Sequence, residues 1–192
     1  MKFTTEIPDY LKHLPVDSRG YPVPYIIFID DQGKPNFRVN NFAKVKECIF
    51  YKKCQICGKP LNSDIWFIGG QLSCFHKNGS FIDPPVHHDC GRFALQVCPY
   101  MVNSSYQSPK PPKLKAEDAK TWDPGQETKR LTIFCFVQTK DYACTVYSPT
   151  EIYLHPVKPF LTVQYWYEGK QIERSLAADL LQKNKEPVLL PH

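Results

Sequence analysis

Cys54-Gln55-Ile56-Cys57-Gly58-Lys59-Pro60 and, further on, Pro84-Pro85-Val86-His87-His88-Asp89-Cys90 are the stretches whose reading decides the fold. Two cysteines spaced by two residues can direct both thiolates at one cation from a tight knuckle, and a glycine just after the second relieves the turn. A redox Cys-x-x-Cys pair would instead follow a strand and open a helix. Here Gly58-Lys59-Pro60 follows at once, so the knuckle is favoured. In the second stretch, His87 and Cys90 have the spacing of two ligands on the first turn of a helix. Pro84-Pro85 blocks helix before them, and Phe93, Ala94, Val97 and Met101 recur at helical spacing after them. Between the halves, Ile65–Ile68, Gly69-Gly70 and Leu72–Phe75 predict strand, turn, strand.

Knuckle, hairpin and ligand-bearing helix make a treble-clef-like site, Cys54, Cys57, His87 and Cys90 around one structural Zn²⁺ per chain. Three thiolates and one imidazole form a closed tetrahedral set. His87 is preferred to His88 by spacing, which leaves His88 as a helix-start residue or a functional imidazole. Cys74 with His76 could replace a member of the set. Cys98 reads as a buried small side chain, and Cys48 is ambiguous. Cys135 and Cys144 read as core thiols or as thiols facing each other across strands.

Working outward, Tyr25–Ile29 predicts a strand buried on both faces, with Phe37–Val39 returning as a hairpin partner. Asn40 or Asn41 then caps a helix that carries Phe42, Val45 and Ile49 on one side. The stretch 103–130 is rich in Lys and Pro and reads as a loop or linker. Leu131–Val137 and Tyr142–Tyr147 predict two strands about a turn, placing Cys135 opposite Cys144. Further strands are expected at Ile152–Leu154 and Phe160–Tyr167. A last helix opens at Arg174 or Ser175, with Leu176, Leu180 and Leu181 on one side, Lys183 and Lys185 at its end and Pro187 closing it. The expected class is α+β: a treble-clef-like unit over 54–102 joined to an antiparallel β region with a C-terminal helix over 131–192. With the N-terminal strand and hairpin region over 1–53 and the loop over 103–130, the chain reads as one domain spanning 1–192.

The 192 residues hold 24 Lys+Arg against 19 Asp+Glu, a net charge of +5 with no basic tail. Eighteen prolines argue against a helical bundle, and 14% aromatics argue against disorder. The start lacks a signal pattern and no long apolar stretch occurs, so a cytoplasmic protein without membrane contact is expected. In that compartment eight cysteines point to metal rather than disulfides. Lys44, Lys46, Lys52, Lys53 and Lys59 gather beside the knuckle with Phe50 and Tyr51 among them, which suits a nucleic-acid contact or, equally, a solvated face.

Leu14-Pro15-Val16-Asp17-Ser18-Arg19-Gly20-Tyr21-Pro22-Val23-Pro24, Cys54-x-x-Cys57-Gly58-Lys59-Pro60-Leu61, Phe67-Ile68-Gly69, Pro84-Pro85-x-His87-x-x-Cys90, Cys98-Pro99-Tyr100 and Trp166-Tyr167-x-x-Gly169 resemble, in that order, an uncharacterised family of small bacterial and phage proteins. The resemblance implies one continuous domain and a bacterial setting, and brings no activity with it. The metal motif alone is also similar to the first finger of LIM domains. The expected function is a non-catalytic, zinc-stabilised binding protein for nucleic acid or a protein partner. The alternative is a His-Asn-His-like metal-dependent nuclease using His88, although the downstream Asn and His it needs are missing. No zinc-deaminase pattern, P-loop, dinucleotide loop or nucleophile elbow occurs, so no nucleotide cofactor is expected.

Overall fold

The computed structural model describes residues 3–103, 131–148 and 151–191; the expected loop over 103–130 lies outside them apart from Asn103. Every strand pairing is antiparallel, and helices pack on the sheets. The architecture is thus mixed helix and antiparallel sheet with a helix near the C-terminus.

A first hairpin joins β1 (Ile27–Ile29) to β2 (Pro35–Asn40). Burial on both faces does not hold here: Ile26 and Ile27 are buried, but Ile29 is exposed, because a two-stranded ribbon has only one face against the body. Asn41 caps α1 (Phe42–Phe50) by accepting from Lys44 N–H, and Val45, Cys48 and Ile49 line its buried side.

The central sheet runs in the order β3 (Ile65–Gly69), β4 (Phe134–Thr139), β7 (Thr162–Tyr167), β8 (Lys170–Ile172). Strand β4 is flanked on both edges, and Cys135, Phe136 and Val137 are fully buried, as its unbroken apolar run dictates. A two-residue turn at Glu168-Gly169, both with positive φ, joins β7 to β8; this left-handed pair matches the twist of a tight hairpin.

Two expectations fail in this region. The segment after Gly70 is a short helix, α2 (Gln71–Phe75), so β3 has no hairpin partner there. Instead Val86 returns to β3 through a bridge, exchanging both backbone bonds with Trp66 at 2.8 and 3.0 Å. Gln71 decides the helix against the strand: its amide spans Pro187 O and Leu189 N, fixing α2 under the C-terminal segment. Nor does β4 pair with β5 (Tyr142–Ser148). β5 pairs with β6 (Glu151–Pro156) in a separate ribbon, and Cys144 lies opposite Leu154 while Cys135 lies opposite Gly69 and Tyr165. β4 already has partners on both edges, and Thr-Lys at the junction is no hairpin turn.

Helix α3 (His88–Val97) lies across the sheet, with Gly91 against the Phe136 ring, and leads into the short α4 (Pro99–Val102). Helix α5 (Arg174–Lys183) packs on β7 through Ala177 and Leu181. Leu176, expected on its apolar side, is 46% exposed; the buried stripe falls one position on, at Ala177.

Candidate metal centre

Cys54, Cys57, His87 and Cys90 come together: one ligand atom from each lies within 4.8 Å of the others. The knuckle is closed by its own backbone, with Gly58 N–H donating to Cys54 O and Cys54 N–H donating to Lys59 O, both at 2.8 Å. Gly58 has φ of +73°, and a Cβ there would stand 2.8 Å from the Tyr25 ring, so both backbone and space require glycine. Gln55 N–H reaches Pro85 O, and Trp66 holds Val86, so the second pair of ligands is delivered from two directions. His87 is the residue before α3 and Cys90 sits in its first turn, where the positive end of the helix favours a thiolate.

The imidazole is oriented as a ligand. His87 Nε2 lies 2.9 Å from Pro60 O, which fixes the N–H on that nitrogen and leaves Nδ1 with its lone pair toward the cysteines. Nδ1 is 3.3 Å from Cys57 Sγ and 3.9 Å from Cys90 Sγ. Tetrahedral zinc, with bonds of about 2.3 Å to sulfur and about 2.0–2.1 Å to nitrogen, sets S···N edges near 3.6 Å. The two distances bracket that edge, and the donor set of soft thiolates and one imidazole fits such an ion.

Without a cation the four groups must share protons. Hydrogen bonds from Cys54 and Cys90 hold the Cys57 thiol far below its ordinary range, while hydrogen bonding with Cys54 and Cys57 and burial push Cys90 far above it. Contacts with Cys54 and Cys57 raise His87 to about 11, so without a cation the ring favours holding a second proton. A divalent cation replaces that arrangement with three thiolates and a neutral ring.

The N-terminal segment covers the cluster, a role not visible in its sequence. His13 Nε2 lies 3.0 Å from Cys57 O. Tyr10 O–H donates to Asp89 O, and burial together with the charge of Cys90 raises its hydroxyl to about 12. These partners are 44 and 79 residues apart in sequence, and no periodicity links them.

His88 stands outside the cluster. Its ring is stacked over Phe136 at 5.8 Å and lies 4.7 Å from Trp66. Nδ1 is 3.2 Å from Asp89, Nε2 is 3.3 Å from the Gln164 amide, and the backbone N–H donates to Asp64. Cys74 and His76 do not belong to the cluster either: Cys74 is fully buried beside Cys135, and His76 is exposed. Cys48 is buried near the knuckle, which raises its thiol to about 12, and Cys98 is half-buried.

Of the five lysines, two are paired: Lys53 with Glu47 at 2.8 Å and Lys52 with Asp141 at 2.7 Å. Lys44 lies over the Tyr25 ring and Lys46 over Phe42, and Lys59 is exposed. Phe50 and Tyr51, by contrast, are 52% and 71% exposed at the end of α1.

No family model, no curated protein and no solved structure matches this chain. Among the described residues no helix is long and apolar enough to cross a membrane.

Proposed function

We propose that this chain is a non-catalytic binding protein held together by one structural Zn²⁺, and that the surface beside its knuckle contacts single-stranded nucleic acid. The metal site is read as a treble clef in which the Trp66–Val86 bridge takes the place of the hairpin, and the last two ligands are His87, just before α3, and Cys90 in its first turn. Four protein ligands saturate tetrahedral zinc, which makes the ion a scaffold rather than a reagent. The motif resemblance to small bacterial and phage proteins supports a bacterial setting for this reading.

The observation that supports the contact is the pair Phe50 and Tyr51, two adjacent aromatic side chains left in water amid a set of lysines. Exposed rings offer faces for bases, and the cations follow the phosphates. The ion pairs of Lys52 and Lys53 moderate the charge but are surface pairs, easily exchanged for phosphate. For the nuclease alternative no observation speaks: both nitrogens of the His88 ring already lie within reach of Asp89 and Gln164.

Fluorescence anisotropy with a labelled single-stranded oligonucleotide tests the proposal. Binding that falls steeply with salt and weakens by about fivefold or more in Tyr51→Ala is expected, given about 1–3 kcal/mol per stacked base. No binding at low salt, by a chain shown to carry zinc, overturns the nucleic-acid reading and transfers this surface to a protein partner.

A further inference from the structure

The β5–β6 ribbon has one edge that nothing among the described residues covers. β6 is held on both sides: by β5, and by Phe81, which exchanges bonds with Leu154 at 2.7 and 2.9 Å. Because Leu154 spends its N–H and C=O on Phe81, the opposed pair Cys144–Leu154 is a non-hydrogen-bonded pair of the ladder. Cys144 therefore turns its own N–H and C=O away from β6, and by the two-residue period so does Val146, up to the irregularity that follows it.

The side chains of the same residues are equally unfinished. Opposite them, Leu154 and Ile152 are buried, at 0% and 5% exposure, facing the core. Cys144 and Val146 share that face, yet Cys144 is exposed and Val146 is 54% exposed. β5 overhangs the core that its partner strand sits on. Natural edges are guarded by lysine, proline, a bulge or a covering element, and the one irregularity of β5 lies beyond Val146. Tyr142–Ser148 has no charge and no proline.

We propose that β5 is a homodimer edge: it pairs antiparallel with β5 of a second copy, centred on Thr145. In that register Cys144 faces Val146 of the second copy, and Val146 faces Cys144. All four carry outward N–H and C=O groups, so both pairs are hydrogen-bonded ones. The two Thr145 side chains meet at the two-fold axis, a favourable cross-strand pair. Cys144 and Val146 of both copies then form one apolar patch continuing the face of Leu154 and Ile152. A second copy fits better than an arbitrary strand because the pattern apolar–Thr–apolar is its own complement about Thr145. The inference is independent of the nucleic-acid reading.

Light scattering coupled to size exclusion, over roughly 5–200 μM, reads the mass directly. The parent chain is expected to dimerise with concentration. Val146→Lys, at an exposed position, should keep the far-UV spectrum and melting behaviour of a folded chain and raise the dimer dissociation constant by more than about tenfold. Thr145→Cys in a Cys144→Ala background, treated with a copper-phenanthroline oxidant that accepts the two electrons of the two thiols, should give a covalent dimer that Cys144→Ala alone does not. A non-hydrogen-bonded pair sets Cα atoms about 4.5 Å apart, within disulfide reach. A parent chain monomeric at the highest concentration overturns the proposal, as does a dimer that Val146→Lys leaves unchanged.

Discussion

Replacing Gly91 with alanine is expected to destabilise the protein, against the trend for glycine in a helix. In an open helix the change gains up to about 1 kcal/mol, because glycine has the greater freedom to lose. Here a Cβ would stand 2.5 Å from Phe136 Cζ, 2.7 Å from its Cε2 and 2.9 Å from Val86 Cγ2. Ordinary carbon contacts lie at about 3.5–4.0 Å, so the helix or the ring must retreat by about 1 Å. The ring has nowhere to go: Phe136 is fully buried on the central strand, with the Trp66 ring 4.5 Å away and the His88 ring stacked on it. Overpacking of this kind costs about 1–3 kcal/mol, and two neighbours obstructed at once place it near the upper end. The net loss is then about 2 kcal/mol, a fall in Tm of roughly 4–8 °C for a chain of this size. The displaced helix carries Cys90, and Val86 immediately precedes His87, so metal affinity should fall with stability. Calorimetry on the zinc-loaded variant, followed by chelator competition, measures both. A variant as stable as its parent would show that α3 does not press on the sheet at Gly91 and would refute the reasoning.

Zinc should be present at about one per chain by elemental analysis and be lost in Cys57→Ser, since a site of four ligands seldom survives with three. Its affinity should rise with pH. Binding must displace the His87 proton, held up to about 11 by Cys54 and Cys57 in the metal-free site, and the proton of the Cys90 thiol, raised by its hydrogen bonds. One to two protons released correspond to about ten- to a hundredfold per pH unit; competition with a chromophoric chelator at three pH values reads this, and a flat profile would contradict the ligand set. Asn41→Ala removes the acceptor for Lys44 N–H at the start of α1 and should cost about 1 kcal/mol in urea unfolding. An unchanged midpoint would mean that water replaces the cap without loss.

What the sequence discloses here is whatever local chemistry decides. The knuckle, the helix after His87 and the run Leu131–Val137 announce themselves through spacing, proline placement and apolar content, so α1, α3, α5 and most strands are foreseeable. The preference for His87 over His88 rests on spacing alone, and the structure adds the reason, a carbonyl at Pro60 that aims the ring. Pairing is another matter. Leu72–Phe75 is a helix because Gln71 meets a segment more than a hundred residues away, and no short window contains that information. The supposed β4–β5 hairpin fails for the same cause: β3 and β7 compete for the edges of β4 and win. The bonds of Tyr10 and His13 to Asp89 O and Cys57 O, beside the candidate ligands, are tertiary facts with no motif behind them.

Strand β3 leaves the ribosome long before it has a sheet to join. Its neighbour β4 follows about 70 residues later, which at about 5–20 residues per second is a wait of roughly 4–14 s. Until then the partners within reach of Trp66 and Phe67 include the Phe81 ring, the Val86 bridge and α3, all made within about 30 residues of them. The bridge and the helix both adjoin the candidate ligands His87 and Cys90, and the candidate set is complete once Cys90 has emerged. If that cluster binds a metal during synthesis, the ion joins the two ends of the stretch that shields Trp66 and Phe67 before β4 exists.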